Sequence, residues 1–237
     1  MKSLLISLVA VFLPLIALGA DAPTPQSAHP MKIGIIGTGE IGGALARHWA
    51  AAGHQLLISS RHPEQLQTLA KQLGPNVTVG TPREAAAFGE VVMLAVPYGA
   101  TPQVGRDYAA ELTGKVVLDA GNPYPSRDGD MAVRDRERGT GVASAEYLPG
   151  TRLVRAFNAI NSGPLERDAF RKPERLGIPL AADDPEAMKI AEQLVSDAGF
   201  DPVPVGKLSR AREFDFGTPV YVRGMTAAEL RQKLGLK

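Results

Sequence analysis

The chain has 237 residues, 44% hydrophobic and 22% charged, with a formal net charge of +1 at neutral pH. Those proportions suit a globular protein with a sizeable core, and so small a charge provides no broad basic field for nucleic acid. The lack of any cysteine excludes disulfides, thiolate nucleophiles and cysteine-ligated metal, and no metal site is expected.

The first thirty residues differ in kind from the rest. Lys2 precedes an apolar run from Leu4 to Leu18, followed by Gly19-Ala20-Asp21-Ala22 and a proline-rich stretch from Pro23 to Pro30. A basic tip, a short apolar segment and small residues at its end predict a secretory signal over residues 1–20 and a linker over 21–30. The run is short for a membrane span, and Pro14 interrupts it. A genuine leader implies an exported or periplasmic protein. A start at Met31, directly before the first core strand, or an uncleaved tether implies a cytoplasmic one.

From Lys32 onward, strand-like and helix-like segments alternate, the pattern of a doubly wound, mostly parallel α/β sheet. Strands are expected at Lys32 to Ile36, Gln55 to Ser59, Val77 to Val79, Val91 to Val96 and Val116 to Ala120. Helices are expected at Glu40 to Ala52, Pro63 to Leu73, Pro82 to Phe88 and Thr101 to Leu112. Residues Ser126 to Thr140 are charged and poorly periodic, and read as a surface excursion with at most one exposed helix. A short helix at Ala143 to Leu148 and a strand at Arg152 to Ala156 follow. Next come a helix near Pro164 to Phe170 and a strand at Gly177 to Ala181. Asp184-Pro185-Glu186 then opens a helix that Gly199 closes, and Phe200 to Val205 is a last strand. The domain is expected over residues 31–212, with a small C-terminal extension at 213–237.

The loop Gly37-Thr38-Gly39-Glu40-Ile41-Gly42 joins the first strand to the first helix. In that context it reads as a dinucleotide site. Gly37 permits the tight turn, Gly39 lets the backbone approach a pyrophosphate, and Gly42 allows close packing of helix on strand. About twenty residues on, an NAD site places an acid for the ribose 2′-hydroxyl. This chain has Ser60 and Arg61 there, and a hydroxyl and a guanidinium are what a 2′-phosphate requires. Thr38 adds a second hydroxyl, so the loop points to NADP(H). Val96-Pro97-Tyr98 and Asn122-Pro123 follow the fourth and fifth strands, where the ligand crevice should lie.

Together these residues resemble the coenzyme F-420-dependent NADP oxidoreductases and the NADPH-binding domain of the STEAP metalloreductases. The matching elements are Lys32 to Gly39, Ser60-Arg61, Ala95-Val96-Pro97, Asp119-Ala120-Gly121-Asn122-Pro123, Val154-Arg155-Ala156-Phe157-Asn158 and Gly206-Lys207-Leu208-Ser209. The resemblance implies Thr38, Ser60 and Arg61 on the 2′-phosphate, and Val96, Pro97 and Asn122 near the nicotinamide. It also implies hydride transfer between NADP(H) and a deazaflavin or flavin co-substrate. Asn158 stands where archaeal members carry a histidine, and it is a candidate for the substrate face.

His29, His48, His54 and His62 all lie away from that face and read as surface or turn residues. Tyr98 is the one proton donor placed on the crevice, although hydride transfer between stacked rings needs alignment more than an acid. Two further readings stay open. One is a non-catalytic NADP(H)-binding module, and the other a small-molecule carbonyl or imine reductase using Tyr98. In either enzyme reading the partner is a small-molecule redox acceptor, and a homodimer is compatible with the sequence.

Overall fold

The computed structural model describes residues 27–236. The expected leader and residues 21–26 of the linker lie outside the described residues. Eight strands form one sheet in the order β3-β2-β1-β4-β5-β6-β7-β8. They are β1 (Lys32–Ile36), β2 (Gln55–Ser59), β3 (Val77–Gly80), β4 (Val91–Leu94), β5 (Val116–Asp119), β6 (Arg152–Arg155), β7 (Gly177–Ala182) and β8 (Asp201–Gly206). The first six run parallel. β7 is antiparallel to β6, and β8 runs with β7. The chain winds outward from β1 to β3, then returns to build β4 on the other side of β1. That reversal opens a crevice beyond the carboxyl ends of β1 and β4.

The helices are α1 (Glu40–Ala51), α2 (Gln67–Leu73), α3 (Pro82–Phe88), α4 (Thr101–Asp107), α5 (Ala109–Leu112), α6 (Pro125–Arg138), α7 (Thr140–Tyr147), α8 (Ser162–Arg167), α9 (Pro185–Asp197) and α10 (Ala227–Lys233). Both sheet faces are covered, so β4 and β5 are buried at every residue, and β4 and the first three residues of β5 read as apolar runs. On one face Ile33 and Ile35 of β1 join Leu45 and Trp49 of α1 and Leu194 of α9 in one core. The Trp49 indole N–H donates to the Leu194 carbonyl at 2.8 Å, which satisfies the polar atom that its burial would otherwise strand. On the other face Ile36, Ala85, Val92, Leu94 and Val117 form a second core. Asp184 caps α9 by accepting from the Glu186 and Ala187 N–H groups, and its ion pair with Arg152 ties that cap to β6.

Several elements differ from expectation. The stretch expected as one helix to Leu112 breaks at Tyr108, where φ is −120° and ψ 21°. The fourth strand stops at Leu94, and Ala95-Val96 leave the sheet to line the crevice. Residues 125–138 carry the one mostly exposed helix that the charged stretch allowed, though it is longer and more regular than its periodicity suggests. They form α6, interrupted at Gly129 (φ 61°), and only Ala132 and Asp135 of it are buried. One alanine and one aspartate make too narrow a stripe to register as apolar periodicity. His54 is fully buried rather than a surface residue. Its Nδ1 accepts the Met31 N–H at 3.0 Å, so Nε2 carries the proton donated to Asp197 at 3.1 Å.

Both ends of the described chain are tied down. Ser27 N–H donates to the Ala52 carbonyl at 2.8 Å, and Gln193 donates to the Ser27 hydroxyl. The C-terminal residues belong to a third core, in which Phe214, Val220 and Leu230 pack on Val203 and Val205 of β8. A Thr226–Glu229 capping box starts α10. Among the described residues no helix is long and apolar enough to cross a membrane.

Candidate dinucleotide and acceptor site

The glycine loop lies across the carboxyl end of β1. Gly37 has φ +96°, and a Cβ there would stand 2.5 Å from the Ala95 carbonyl oxygen. A Cβ on Gly42 would stand 2.2 Å from the Gly37 carbonyl oxygen, so α1 packs against the loop only because this position lacks a side chain. Gly39 is the opposite case: a Cβ would meet nothing within 4 Å. Its surroundings are open space above the backbone, which leaves room for a phosphate group. No side chain caps α1, so its first-turn N–H groups around Glu40 and Ile41 keep their donor capacity for an anion.

Two chambers flank this loop. The first, of about 540 Å³, is lined by Gly37, Thr38, Gly39, Ser60, Arg61 and Ala95-Val96-Pro97, among others. Thr38 donates its hydroxyl to the Ser59 carbonyl at 3.1 Å, and the Ser60 hydroxyl accepts the His62 N–H at 3.0 Å. Both contacts fix the corner while leaving lone pairs or protons available. Arg61 is exposed. Its guanidinium is free to pair with an anion brought into the chamber.

The second chamber, of about 440 Å³, shares Ala95-Val96-Pro97 with the first and extends over Glu40, Ile41, Gly121, Asn122, Tyr124, Arg127, Phe157 and Tyr221. Asn122 donates from Nδ2 to the Asn158 carbonyl at 2.8 Å, and its buried Oδ1 has no partner among the described residues. An orphaned acceptor in that place fits an amide N–H such as that of a nicotinamide carboxamide. Phe157 adopts φ +61°, an uncommon conformation for a residue with a side chain, and its ring packs edge-on against Trp49 at 6.0 Å.

Behind Asn122 lies a buried ionic cluster. Arg155, fully buried, donates from Nη1 to Asp119 Oδ2 at 2.8 Å and to the Gly121 carbonyl at 2.7 Å. Its Nη2 donates to Asp215 at 3.1 Å. Asp119 Oδ1 in turn accepts the Gly121 N–H at 2.8 Å. The two carboxylates raise the Arg155 pKa against the opposing pull of burial, so the cation persists and holds the 119–122 turn.

Two expected substrate-face residues lie elsewhere. Tyr98 is fully buried and lines neither chamber. The chain after Pro97 enters a 3₁₀ turn, Tyr98–Ala100, that swings the ring inward, where its hydroxyl donates to Asp135 at 3.1 Å. Burial first, and the Asp135 charge second, push its pKa well above the usual phenol value, so it is no proton donor to the crevice. Asn158 is also buried, its amide 3.4 Å from both the Phe214 carbonyl and Asp215. It serves the site through its backbone, as the acceptor for Asn122. Sequence reasoning missed Tyr124, Arg127 and Tyr221. Tyr221 is 97 positions beyond Tyr124 in the chain, yet their hydroxyls are 2.5 Å apart.

A doubly wound sheet, a glycine loop open to a phosphate and a hydroxyl-and-guanidinium corner are the parts of a dinucleotide-binding protein, and with the relatives described next they make the chain an NADP-dependent oxidoreductase that acts on a small-molecule redox acceptor. Comparison with known proteins agrees. Residues 32–123 match the family model described as NADP oxidoreductase, coenzyme F-420-dependent. The F-420-dependent NADP reductase of Methanothermobacter thermautotrophicus is 31% identical over 206 residues, covering 81% of this chain and 88% of that protein. The metalloreductase STEAP3 of Rattus norvegicus is 28% identical, covering 83% of this chain and 38% of the longer relative. A crystal structure of a hypothetical protein from Sinorhizobium meliloti superposes with a TM-score of 0.72 at 27% identity, covering 84% of this chain and 96% of that one. The chain belongs to the coenzyme F-420-dependent NADP oxidoreductase family.

Proposed function

We propose that the chain transfers hydride between NADP(H) and a deazaflavin of the coenzyme F-420 type, with flavins as further acceptors. The observation that carries this reading is the shared Ala95-Val96-Pro97 wall. A dinucleotide lying along the first chamber reaches the second over these residues, and a planar acceptor in the second meets its nicotinamide. Bound NADPH supplies the hydride. Thr38, Ser60 and Arg61 hold the 2′-phosphate, the N–H groups of Gly39, Glu40 and Ile41 hold the pyrophosphate, and Asn122 Oδ1 orients the carboxamide. Ile41, Val96, Pro97, Phe157 and Ile160 give the second chamber an apolar lining that suits a flat ring and excludes water. The names of the archaeal relatives support the deazaflavin as acceptor.

The test is anaerobic NADPH oxidation with coenzyme F-420, riboflavin and ferric citrate as alternative acceptors. Rapid turnover with the deazaflavin is expected. NADPH binding without oxidation by any of them would make the chain a non-catalytic NADP(H) module. The carbonyl or imine reductase reading has lost its donor, because Tyr98 is sealed behind the 3₁₀ turn. We further propose that residues 1–20 direct export. Sequencing the amino terminus of protein from its native cell should then find Ala20 or Asp21, whereas a start at Met31 would overturn the export reading.

A further inference from the structure

One wall of the second chamber is built from Tyr124, Arg127 and Tyr221, and every polar side-chain group it presents is a hydrogen-bond donor or a hydroxyl. The Tyr124 and Tyr221 hydroxyls are 2.5 Å apart, a distance that holds one shared proton. The second hydroxyl proton has no acceptor among the described residues. Burial and the bond from Tyr124 push the Tyr221 pKa upward, so its phenol stays protonated at neutral pH. The Arg127 guanidinium stacks over the Tyr124 ring at 5.0 Å. Its Nε and Nη2 donate to Asp128 at 2.9 and 2.7 Å, and Nη2 also to the Asn122 carbonyl at 2.7 Å. Nη1 makes no hydrogen bond among the described residues.

The wall is rigidly held. Phe216 packs edge-on against both tyrosines, at 4.9 and 5.4 Å. Val222, next to Tyr221, takes φ +50°, a strained conformation for a β-branched residue, and is pinned by its N–H to the Ala159 carbonyl at 3.0 Å. The one carboxylate lining the chamber, Glu40, accepts the Ser162 hydroxyl at 2.8 Å. Among the described residues no carboxylate accepts from the spare phenol proton or from Arg127 Nη1; Asp128 takes only the other two nitrogens of Arg127.

We infer that Tyr124, Arg127 and Tyr221 form an anion-stabilising wall for the acceptor. It selects fused heteroaromatic rings with a conjugated carbonyl, whose two-electron reduced form is an anion. This inference rests on hydride transfer taking place in the second chamber. A C–H bond of the nicotinamide breaks, and a C–H bond forms on the acceptor ring. The displaced electron pair moves through the conjugated system onto the ring's carbonyl edge, which Arg127 and the tyrosine pair hold. The reduced ring keeps its charge on that edge as an anion, accepting hydrogen bonds from the spare phenol O–H and from Arg127 Nη1, neither of which gives up its proton. NADPH is oxidised and the acceptor is reduced to its anion, with no proton consumed. Ferric acceptors, taking one electron at a time, gain nothing from such a wall.

Binding without dinucleotide separates this assignment from turnover. The full chain is titrated anaerobically at pH 8 with riboflavin and with 5-deazariboflavin, each in oxidised and reduced form. Wild type should prefer the reduced form by about tenfold, the scale of one charged hydrogen bond. The Tyr124→Phe/Tyr221→Phe double variant keeps the rings against Phe216, and its preference should fall to within about twofold, as should that of Arg127→Met. Thermal melts confirm that each variant is folded. An unchanged preference in the double variant, or none in wild type, overturns the assignment. A preference for one ring type alone narrows the acceptor class to it. If the preference behaves as expected but NADPH reduces neither ring, the hydride-transfer reading fails while the anion wall stands.

Discussion

Asn122, which lines the second chamber, gives its amide N–H to the Asn158 carbonyl at 2.8 Å, and its buried Oδ1 has no partner among the described residues. A side chain so oriented can fix the rotation of a nicotinamide ring about its glycosidic bond. Asn122→Ala should weaken NADPH binding by about 0.5–1.5 kcal/mol, one neutral hydrogen bond. Turnover should fall further, by roughly one to two powers of ten, because ring misalignment affects the reaction more than affinity. Paired measurement of NADPH affinity and kcat checks this; weakened binding with kcat unchanged would mean that Asn122 contributes affinity alone.

The contact between Gly42 and Gly37 sets how closely α1 approaches the loop. With the Gly42 Cβ position 2.2 Å from a backbone oxygen, Gly42→Ala must move the helix. Overpacking of this kind costs about 1–3 kcal/mol. A lower melting temperature together with lost NADPH binding is expected, while wild-type affinity in a folded Gly42→Ala protein would refute the geometry.

Arg155, itself fully buried, neutralises two carboxylates, of which Asp119 is fully buried and Asp215 nearly so. Arg155→Met would leave Asp119 and Asp215 unpaired in the core, and removing one partner from a buried pair costs about 3–5 kcal/mol. Urea denaturation should show a loss of that order. A loss below about 1 kcal/mol, the worth of an exposed pair, would show that water reaches the cluster.

His54 supplies a pH dependence with a defined sign. Burial lowers its pKa below the ordinary histidine value, against the opposing charge of Asp197. Below about pH 6.5 the unfolded chain takes up a proton that the folded chain resists, so His54 makes stability fall as pH drops from 7 toward 5. His54→Gln should be less stable at pH 7.5 but flatter over that window. Parallel melting curves from pH 7.5 to 5 with the same slope for both proteins would contradict this.

The sequence reveals the dinucleotide half of the site better than the acceptor half. Gly37 to Gly42, Ser60 and Arg61 fall within two consecutive strand-helix units, so spacing alone places them together. Tyr98 was misplaced because the turn after Pro97 decides which way one side chain points, and no periodicity encodes a three-residue 3₁₀ turn. The bounds of helix α6 are illegible because its buried face centres on Asp135, which accepts the hydroxyls of Tyr98 and Tyr147, and not on apolar residues. The Tyr124–Tyr221 pair depends on the C-terminal segment folding back across β7 and β8, a long-range contact with no local signal.

The identity of the cofactor rests on Arg61, and the most direct test compares NADPH and NADH binding to wild type and Arg61→Ala. NADPH affinity should fall by about 1.5–3 kcal/mol, the loss of a charged hydrogen bond, with NADH affinity nearly unchanged. Equal weakening of both dinucleotides would show that Arg61 does not read the 2′-phosphate, and the assignment of the first chamber would be wrong.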